Sequence, residues 1–497
     1  MANTRDEATE VPEDGSLRKG AARGSAITLV GQITRILIQL LSVILLARLI
    51  PPADFGLYAM VLAVSGVAQI FLDLGFSMAA LRSRDLTKQQ HSNLFWINTS
   101  AGFLLFIIIF SLAIPLATFY GDDRLIRVTQ WISIVYLLGG ITAQFRVHLN
   151  RHLRFGALSL ADVLAPLVAL VVAVIMAMKG YGVQALVVQT ILNYLVMLVL
   201  VVVMARWVPS FPRKTPGMKP LLTFGMGLGA TRFLSYLTQN IDSIIIGRVM
   251  GPVQLGFYDR AFRLAVAPVV QISFPFTRVA IPFLVRVMDD GKKYVAALRE
   301  AQMVGIYGTA SFLLVFGGMA TPIVTLIFGP DWVEAGLLMT ILCIGAIFRT
   351  LQQVATWVFM SKGLSGALLK LNLVMQPVIV LLIIGGARWG TVGVAWAGTL
   401  GYFLFWLVSI AWASYATNLN LWSLVTNPLE IIGKFSLPAG LITFAISSNS
   451  SLSLLTQFLA SIGGALIWFV FIYCISKKIK KDIRRLVGIG MLVLKRR

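Results

Sequence analysis

Charge is scarce in this chain. Of its 497 residues only 12% are Asp, Glu, Lys or Arg, against about 25% in a soluble protein; 58% are hydrophobic and the mean hydropathy is +0.85. A water-soluble globule is excluded, and the composition is that of an integral membrane protein. Cysteine is nearly absent: Cys343 and Cys474 lie far apart inside apolar runs and read as small packing residues, not as a disulfide framework. No G-x-x-x-x-G-K-[ST] phosphate loop occurs, so direct ATP drive is excluded in this chain. The three histidines, His91, His148 and His152, fall in inner loops without metal-ligand spacing, which predicts solvated side chains. GMGLG at 225–229 lacks the strand-to-helix context of a dinucleotide site and reads as small residues packing helix on helix.

What is abundant is apolar sequence in runs of the roughly 20 residues that cross a bilayer as a helix. Turn and charge signals divide it into fourteen predicted spans: 27–49, 57–80, 94–119, 128–146, 158–178, 183–205, 221–247, 257–285, 301–328, 336–360, 368–386, 392–415, 435–447 and 453–475. Residues 1–24 are polar and read as a disordered tail. The first apolar run, from Ile27 to Leu49, is too long for a cleavable signal core. An even number of spans puts both termini on one side. If that side is cytoplasmic, the inner segments hold 30 Lys and Arg and the outer loops 6, the asymmetry of a positive-inside topology. The net charge of +22 is thereby spread over inner loops and forms no nucleic-acid-binding domain. In the basic C-terminal stretch, Ile475, Ile479, Ile483 and Leu486 recur at helical spacing, which suits either a helix on an anionic leaflet or a solvated tail.

The chain repeats itself. ARLIPPADFGLY at 47–58 returns as GRVMGPVQLGFY at 247–258, with Arg48, Pro52, Gly56 and Tyr58 matched by Arg248, Pro252, Gly256 and Tyr258. PLATFYG at 115–121 pairs with PIVTLIFG at 322–329, GALSLAD at 156–162 with GALLKLN at 366–372, and Pro166 nearly with Pro377. The offset drifts steadily from 200 to about 210, as small loop insertions produce. Each copy holds six spans, so the copies insert in the same sense, as two parallel six-helix lobes around a central cleft plus two extra helices. The expected organisation is an all-α membrane protein with a cytoplasmic tail (1–24), an N-lobe (25–206), a C-lobe (207–415), spans 13 and 14 (416–475) and a basic cytoplasmic tail (476–497).

RLIPPADFGLYAM with the following FLDLGFSMA, NIDSIIIGRVMGPVQLGFYDRA in the second half, and the six, six and two span plan resemble the polysaccharide-transport branch of the multidrug/oligosaccharidyl-lipid/polysaccharide flippase superfamily. The likeness covers about residues 20 to 475 and is similar to bacterial succinoglycan and colanic-acid exporter-like proteins. It implies a fourteen-helix fold in the bacterial inner membrane and translocation of undecaprenyl-diphosphate-linked oligosaccharide for surface, exopolysaccharide or lipopolysaccharide synthesis. Lipid-linked oligosaccharide and membrane lipids are the implied partners, with polymerase or export machinery as a further one. The family has no strict catalytic signature, so site residues rest on their own chemistry.

Once the cations at span ends are counted with the loops, six remain inside predicted spans, all of them arginine: Arg35, Arg232, Arg260, Arg263, Arg278 and Arg349. A charge at mid-bilayer costs about 2.5–3.5 kcal/mol on insertion scales, so such residues face a cavity or a partner. The planar guanidinium also matches phosphate oxygens and stays protonated. Arg35, Arg232 and Arg349 are the leading candidates for diphosphate or sugar contact in one central cavity, followed by Arg263 and Arg278. Gln39 and Gln239 coincide at the offset of 200 and join them, and Gln352 and Gln353 extend Arg349 into a polar stripe. Structural salt bridges and snorkelling are the competing readings, with Asp259 available to Arg260 and Arg263.

The intramembrane carboxylates Asp73, Asp162 and Asp242, with Asn240 beside the last, are candidates for proton or sodium coupling or for ion pairs with those arginines. No cofactor or metal is expected beyond such an ion. A small-molecule/cation antiporter of the same superfamily is the alternative function; it predicts a carboxylate-dominated cleft. A membrane polymerase or ligase would need a large outer loop, and the outer loops here have only about 4–9 residues. The chain is therefore expected not to be an enzyme.

Overall fold

In a computed structural model of the chain, residues 14–73, 86–216, 218, 240–266, 269, 277, 280–449 and 451–495 are described, and they contain helices and connections without a strand. Helices are the outcome that bilayer physics requires of long apolar runs, because only an intrasegment ladder satisfies every backbone group. Ten stretches among the described residues are long and apolar enough to cross a membrane, one of which, Ser365–Thr417, covers two helices. The protein is a multi-pass membrane protein. The contacts divide it into two compact units, residues 1–50 with 64–237 and residues 51–63 with 238–497.

Unit 1 contains α1 (Asp14–Leu49), the end of α2 (Pro52–Asp73), α3 (Lys88–Ser111), α4 (Ala113–Tyr120), α5 (Arg124–Arg151), α6 (Phe155–Met178) and α7 (Gly182–Ala205). Helix α1 reaches back to Asp14, into the stretch expected to be a disordered tail. A capping box between Thr87 and Gln90 starts α3. Gly102 and Gly140 let α3 and α5 close backbone to backbone: a Cβ on Gly140 would lie 2.5 Å from the Asn98 carbonyl oxygen.

Unit 2 contains the start of α2, then α8 (Ile241–Ala265), α9 (Gly291–Gly318), α10 (Ala320–Phe328), α11 (Val333–Ser361), α12 (Ser365–Gly386) and α13 (Gly390–Thr417). Beyond the repeat come α14 (Ser423–Ile431), α15 (Leu437–Ser447), α16 (Leu454–Ile475) and α17 (Lys477–Lys495). The thirteenth span begins well before Phe435, since α14 runs through a π turn at Ile432–Ser436 into α15. Glu430 and Lys434 interrupted the apolar run there, yet they pair with each other at 2.9 Å.

Among the described residues the duplication recurs from α3–α7 to α9–α13. A long helix breaks into a short one at Leu112 and again at Met319, and each short helix ends on a positive-φ glycine, Gly121 and Gly329. Pro166 and Pro377 sit inside α6 and α12, and positive φ recurs at Leu153 and Gly363 and at Arg206 and Asn418. The same neighbours pack in both sets: α3 on α5 and α9 on α11, α5 on α7 and α11 on α13, α6 on α7 and α12 on α13. The opening motif recurs as well. Pro52 starts α2, and Gly251, with φ 84°, interrupts α8 immediately before Pro252. Within unit 2 these two copies touch: a Cβ on Gly56 would strike the Pro252 carbonyl, and one on Gly256 the Pro52 carbonyl.

Two of the three histidines depart from expectation, whereas His152 is exposed as expected. His91 is buried in α3, its ring stacked on Trp207 at 4.3 Å, and His148 in α5 stacks on the same indole at 5.4 Å. His152 lies 4.1 Å from His148. The cause is the extended segment 206–216, which folds back across the end of α3. Asn93 binds the backbone of Arg213 as donor and acceptor, Gln89 donates to the Phe211 carbonyl and Trp96 to that of Ser210. Cys343 is buried as expected of a packing residue, whereas Cys474 is exposed.

Candidate functional site

In unit 1 a cavity of about 480 Å³ opens between α1, α2, α5, α6 and α7. Its polar lining includes Arg35, Gln69, Arg146, Asp162, Asn193 and Tyr194. Arg35 is half-buried; its Nε is shielded from solvent and has no hydrogen-bond partner among the described residues. An unbonded guanidinium nitrogen is a donor held ready for an anion, since leaving it unmet costs about 1–3 kcal/mol. Gly139 and Ala143 on α5 keep that side of the cavity clear of bulk.

Arg146 is the residue that sequence reasoning missed. The predicted span 128–146 ends on it, which reads as the edge of an inner loop, but α5 continues to Arg151 and carries Arg146 into the cavity wall. Its Nη1 lies 2.8 Å from Asp162 Oδ1 and its Nη2 3.4 Å from Oδ2. The chain turns between them at His152–Arg154, so residues seven before and nine after Leu153 come opposite each other on neighbouring helices. Asp162, proposed from sequence as a coupling carboxylate or an ion-pair partner, is thus engaged by a cation. Tyr194 donates to Gln69 Oε1 at 3.3 Å, which completes a polar wall on an otherwise apolar helix set.

Unit 2 has a polar pocket of its own, but a space of only about 20 Å³ remains in it. Arg349 lies 3.9 Å from the centre of the Tyr402 ring and 5.4 Å from that of Phe262, so its charge is met by aromatic faces. Asp242 lines the same pocket; it accepts from the Tyr258 hydroxyl at 2.7 Å and from its neighbour Ser243 N at 2.8 Å. Asn240 is the N-terminal cap residue of α8.

The other candidates separate into three groups. Arg260 and Arg263 both pair with Asp259, at 3.1 and 2.9 Å, and Arg260 is buried with its guanidinium 4.2 Å from the Phe55 ring. Gln39 is exposed on α1 and absent from the cavity wall; Gln352 and Gln353 turn to Thr356 and Thr277. Arg232, Gln239, Arg278, most of the predicted span 221–247 and GMGLG lie outside the described residues, as does the side chain of Asp73 at the end of α2.

The arrangement in unit 1 can hold a phosphate-bearing, hydroxyl-rich head: one unpaired guanidinium, a second guanidinium oriented by a carboxylate, and amide and phenol groups around them. Comparison with known proteins bears on what that head is. The family model described as "Polysaccharide biosynthesis protein" matches residues 45–337. The teichuronic acid biosynthesis protein TuaB of Bacillus subtilis (strain 168) is 28% identical over 70% of this chain and 72% of its own. The lipopolysaccharide biosynthesis protein WzxC of Escherichia coli (strain K12) is 22% identical over 79% of this chain and 80% of its own. Among solved structures, the lipid II flippase MurJ in an inward closed conformation superposes with a TM-score of 0.67, covering 90% of this chain and 99% of that one at 14% identity.

Proposed function

Because the chain belongs to the polysaccharide biosynthesis protein family, we propose that it is a transporter, not an enzyme, which moves undecaprenyl-diphosphate-linked oligosaccharide across the bacterial inner membrane. The observation that carries the reading is the polar cavity of unit 1, set among apolar helices and lined by both Arg35 and Arg146. The diphosphate meets Arg35 first and Arg146 second, while Asn193, Tyr194 and Gln69 hydrogen-bond sugar hydroxyls. Arg349 is a second-stage cation that the aromatic rings of Tyr402 and Phe262 release when the bound lipid advances. Arg232 and Arg278, with Gln239, extend the cationic route, whereas Arg263 is held by Asp259 and Gln39 lies off the cavity wall.

Both termini face the cytoplasm in this reading, as the distribution of Lys and Arg supports. Transport follows alternating access of the two repeats. The coupling ion, proton or sodium, acts at Asp242, whose carboxylate is met by a phenol and forms no ion pair among the described residues, with Asn240 nearby and Asp73 and Asp162 as further candidates. A polymerase or export complex receives the flipped lipid. The antiporter alternative is less well supported, because Asp162, the one carboxylate on the unit 1 cavity among the described residues, is already bound to Arg146.

The test is reconstitution in liposomes with fluorescent undecaprenyl-diphosphate oligosaccharide and a leaflet-accessibility readout, with and without a proton or sodium gradient. Gradient-dependent appearance of the lipid in the opposite leaflet is expected. Absence of lipid movement together with cation-coupled efflux of small organic cations would overturn the reading in favour of the antiporter.

A further inference from the structure

The C-terminal helix closes a further polar site, which shares no lining residue with the cavity of unit 1. Helix α16 ends at Ser476, whose extended backbone (φ −88°, ψ 107°) turns the chain directly into α17. One face of α17 is fixed on unit 2. Ile479 and Asp482 are buried, the Tyr307 hydroxyl donates to Asp482 Oδ2 at 3.1 Å, and Lys478 pairs with Glu430. Between this helix, the start of α9 and α14 lies a groove of about 220 Å³ lined by Arg299, Glu300, Asn427, Lys478, Asp482 and Arg485 among others. The three contributing stretches belong to or adjoin 286–299, 416–434 and 476–497, which the charge asymmetry places independently on the inner side. The groove therefore opens where inner-leaflet phosphates lie.

The charge of the groove narrows its ligand. Lys478 and Lys434 share the Glu430 carboxylate, and Asp482 is held by Tyr307. Arg299, Lys434, Lys478 and Arg485 face Glu300, Glu430 and Asp482, a surplus of one positive charge. That balance is neutralised by a phosphodiester, which carries one negative charge, and falls short of neutralising a diphosphate. Arg299 and Arg485 are exposed, and no ion pair engages them among the described residues; guanidinium forks are the groups best suited to phosphate oxygens. Asn427 and the Glu300 carboxylate are left to accept from hydroxyls on the same head.

We propose that the groove between α17 and the inner ends of α9 and α14 binds the phosphodiester headgroup of an anionic inner-leaflet phospholipid, with Arg299 and Arg485 on the phosphate. The site is separate from the transported lipid and needs no assumption about it. The test uses the full-length protein, stripped of native lipid in neutral detergent, with phosphatidylglycerol, phosphatidylcholine or inorganic phosphate added and read by thermal unfolding and by lipid retention in native mass spectrometry.

Phosphatidylglycerol is expected to raise the melting temperature and to be retained, and phosphatidylcholine to do neither. Arg299→Gln with Arg485→Gln should weaken phosphatidylglycerol about tenfold. Lys477→Gln with Lys481→Gln, which removes exposed charges of α17 outside the groove lining, should leave it unchanged. Equal loss in both double variants would reduce the effect to general surface charge, and equal stabilisation by inorganic phosphate would remove the lipid; either overturns the proposal, as does the absence of any response to phosphatidylglycerol.

Discussion

In unit 1, Arg35 faces a cavity of about 480 Å³ with its Nε unbonded; in unit 2, Arg349 lies against the Tyr402 ring at 3.9 Å in a pocket with about 20 Å³ left. Both pockets are lined by duplicated helices, but at different levels along them, so they share one equivalent position and differ in placement as well as in side chains. At the offset of 210 fixed by GALSLAD and GALLKLN, Arg349 corresponds to Gly139, which lines the open cavity. The ion pair Arg146–Asp162 corresponds to Thr356 and Asn372, two neutral residues that hydrogen-bond locally, Thr356 to Gln352 and Asn372 to the Leu368 carbonyl. Each copy has kept charge where the other has none. A duplicated fold has thus supplied one site that is open and cationic and one that is closed by aromatic rings.

The largest effect is expected where the copies are interdependent. Gly56→Leu or Gly256→Leu places a side chain where the backbone carbonyl of the other motif already lies, and either should destabilise the protein by about 3 kcal/mol, read as thermal unfolding in detergent. Equal tolerance of leucine at both positions would show that the touching motifs are incidental to the fold.

A smaller loss, about 1–2 kcal/mol, is expected of Arg146→Met, which strands Asp162 in a partly exposed site. The double change Arg146→Thr with Asp162→Asn copies the residues of unit 2 and should recover most of that stability while still losing transport. If the double variant is as unstable as Arg146→Met, the pair is holding the fold and not orienting a guanidinium.

Tyr402→Leu should cost about 1 kcal/mol of cation–π contact and give Arg349 the freedom that Arg35 has. Its informative readout is the effect of a subsequent Arg349→Gln on lipid binding. That effect should be greater in the Tyr402→Leu background than in the native chain.

Much of this was legible before any coordinates. The repeated motif, the drift of the offset and the prolines at 166 and 377 mark equivalent elements, and the helices follow them because apolar runs in a bilayer have few alternatives. The charged candidates were only partly legible. Arg35 stood out as an isolated cation in an apolar run, whereas Arg146 was hidden by its place next to a basic loop, where helix ends are uncertain by a few residues. Its distance from the turn, nearly equal to that of Asp162, was the available signal. His91 was missed for a different reason: polar residues at a helix end read as solvated unless a distant segment covers them, and here the segment after α7 brings Trp207 over the ring.

The central claim is that the unit 1 cavity, and not its closed counterpart, first receives the lipid diphosphate. Equilibrium binding of undecaprenyl diphosphate to the purified protein in lipid nanodiscs tests it most directly, with undecaprenyl monophosphate as reference. Arg35→Gln should weaken diphosphate binding about tenfold or more, and Arg349→Gln less than about threefold. Equal losses from the two variants, or a greater loss from Arg349→Gln, would contradict the account.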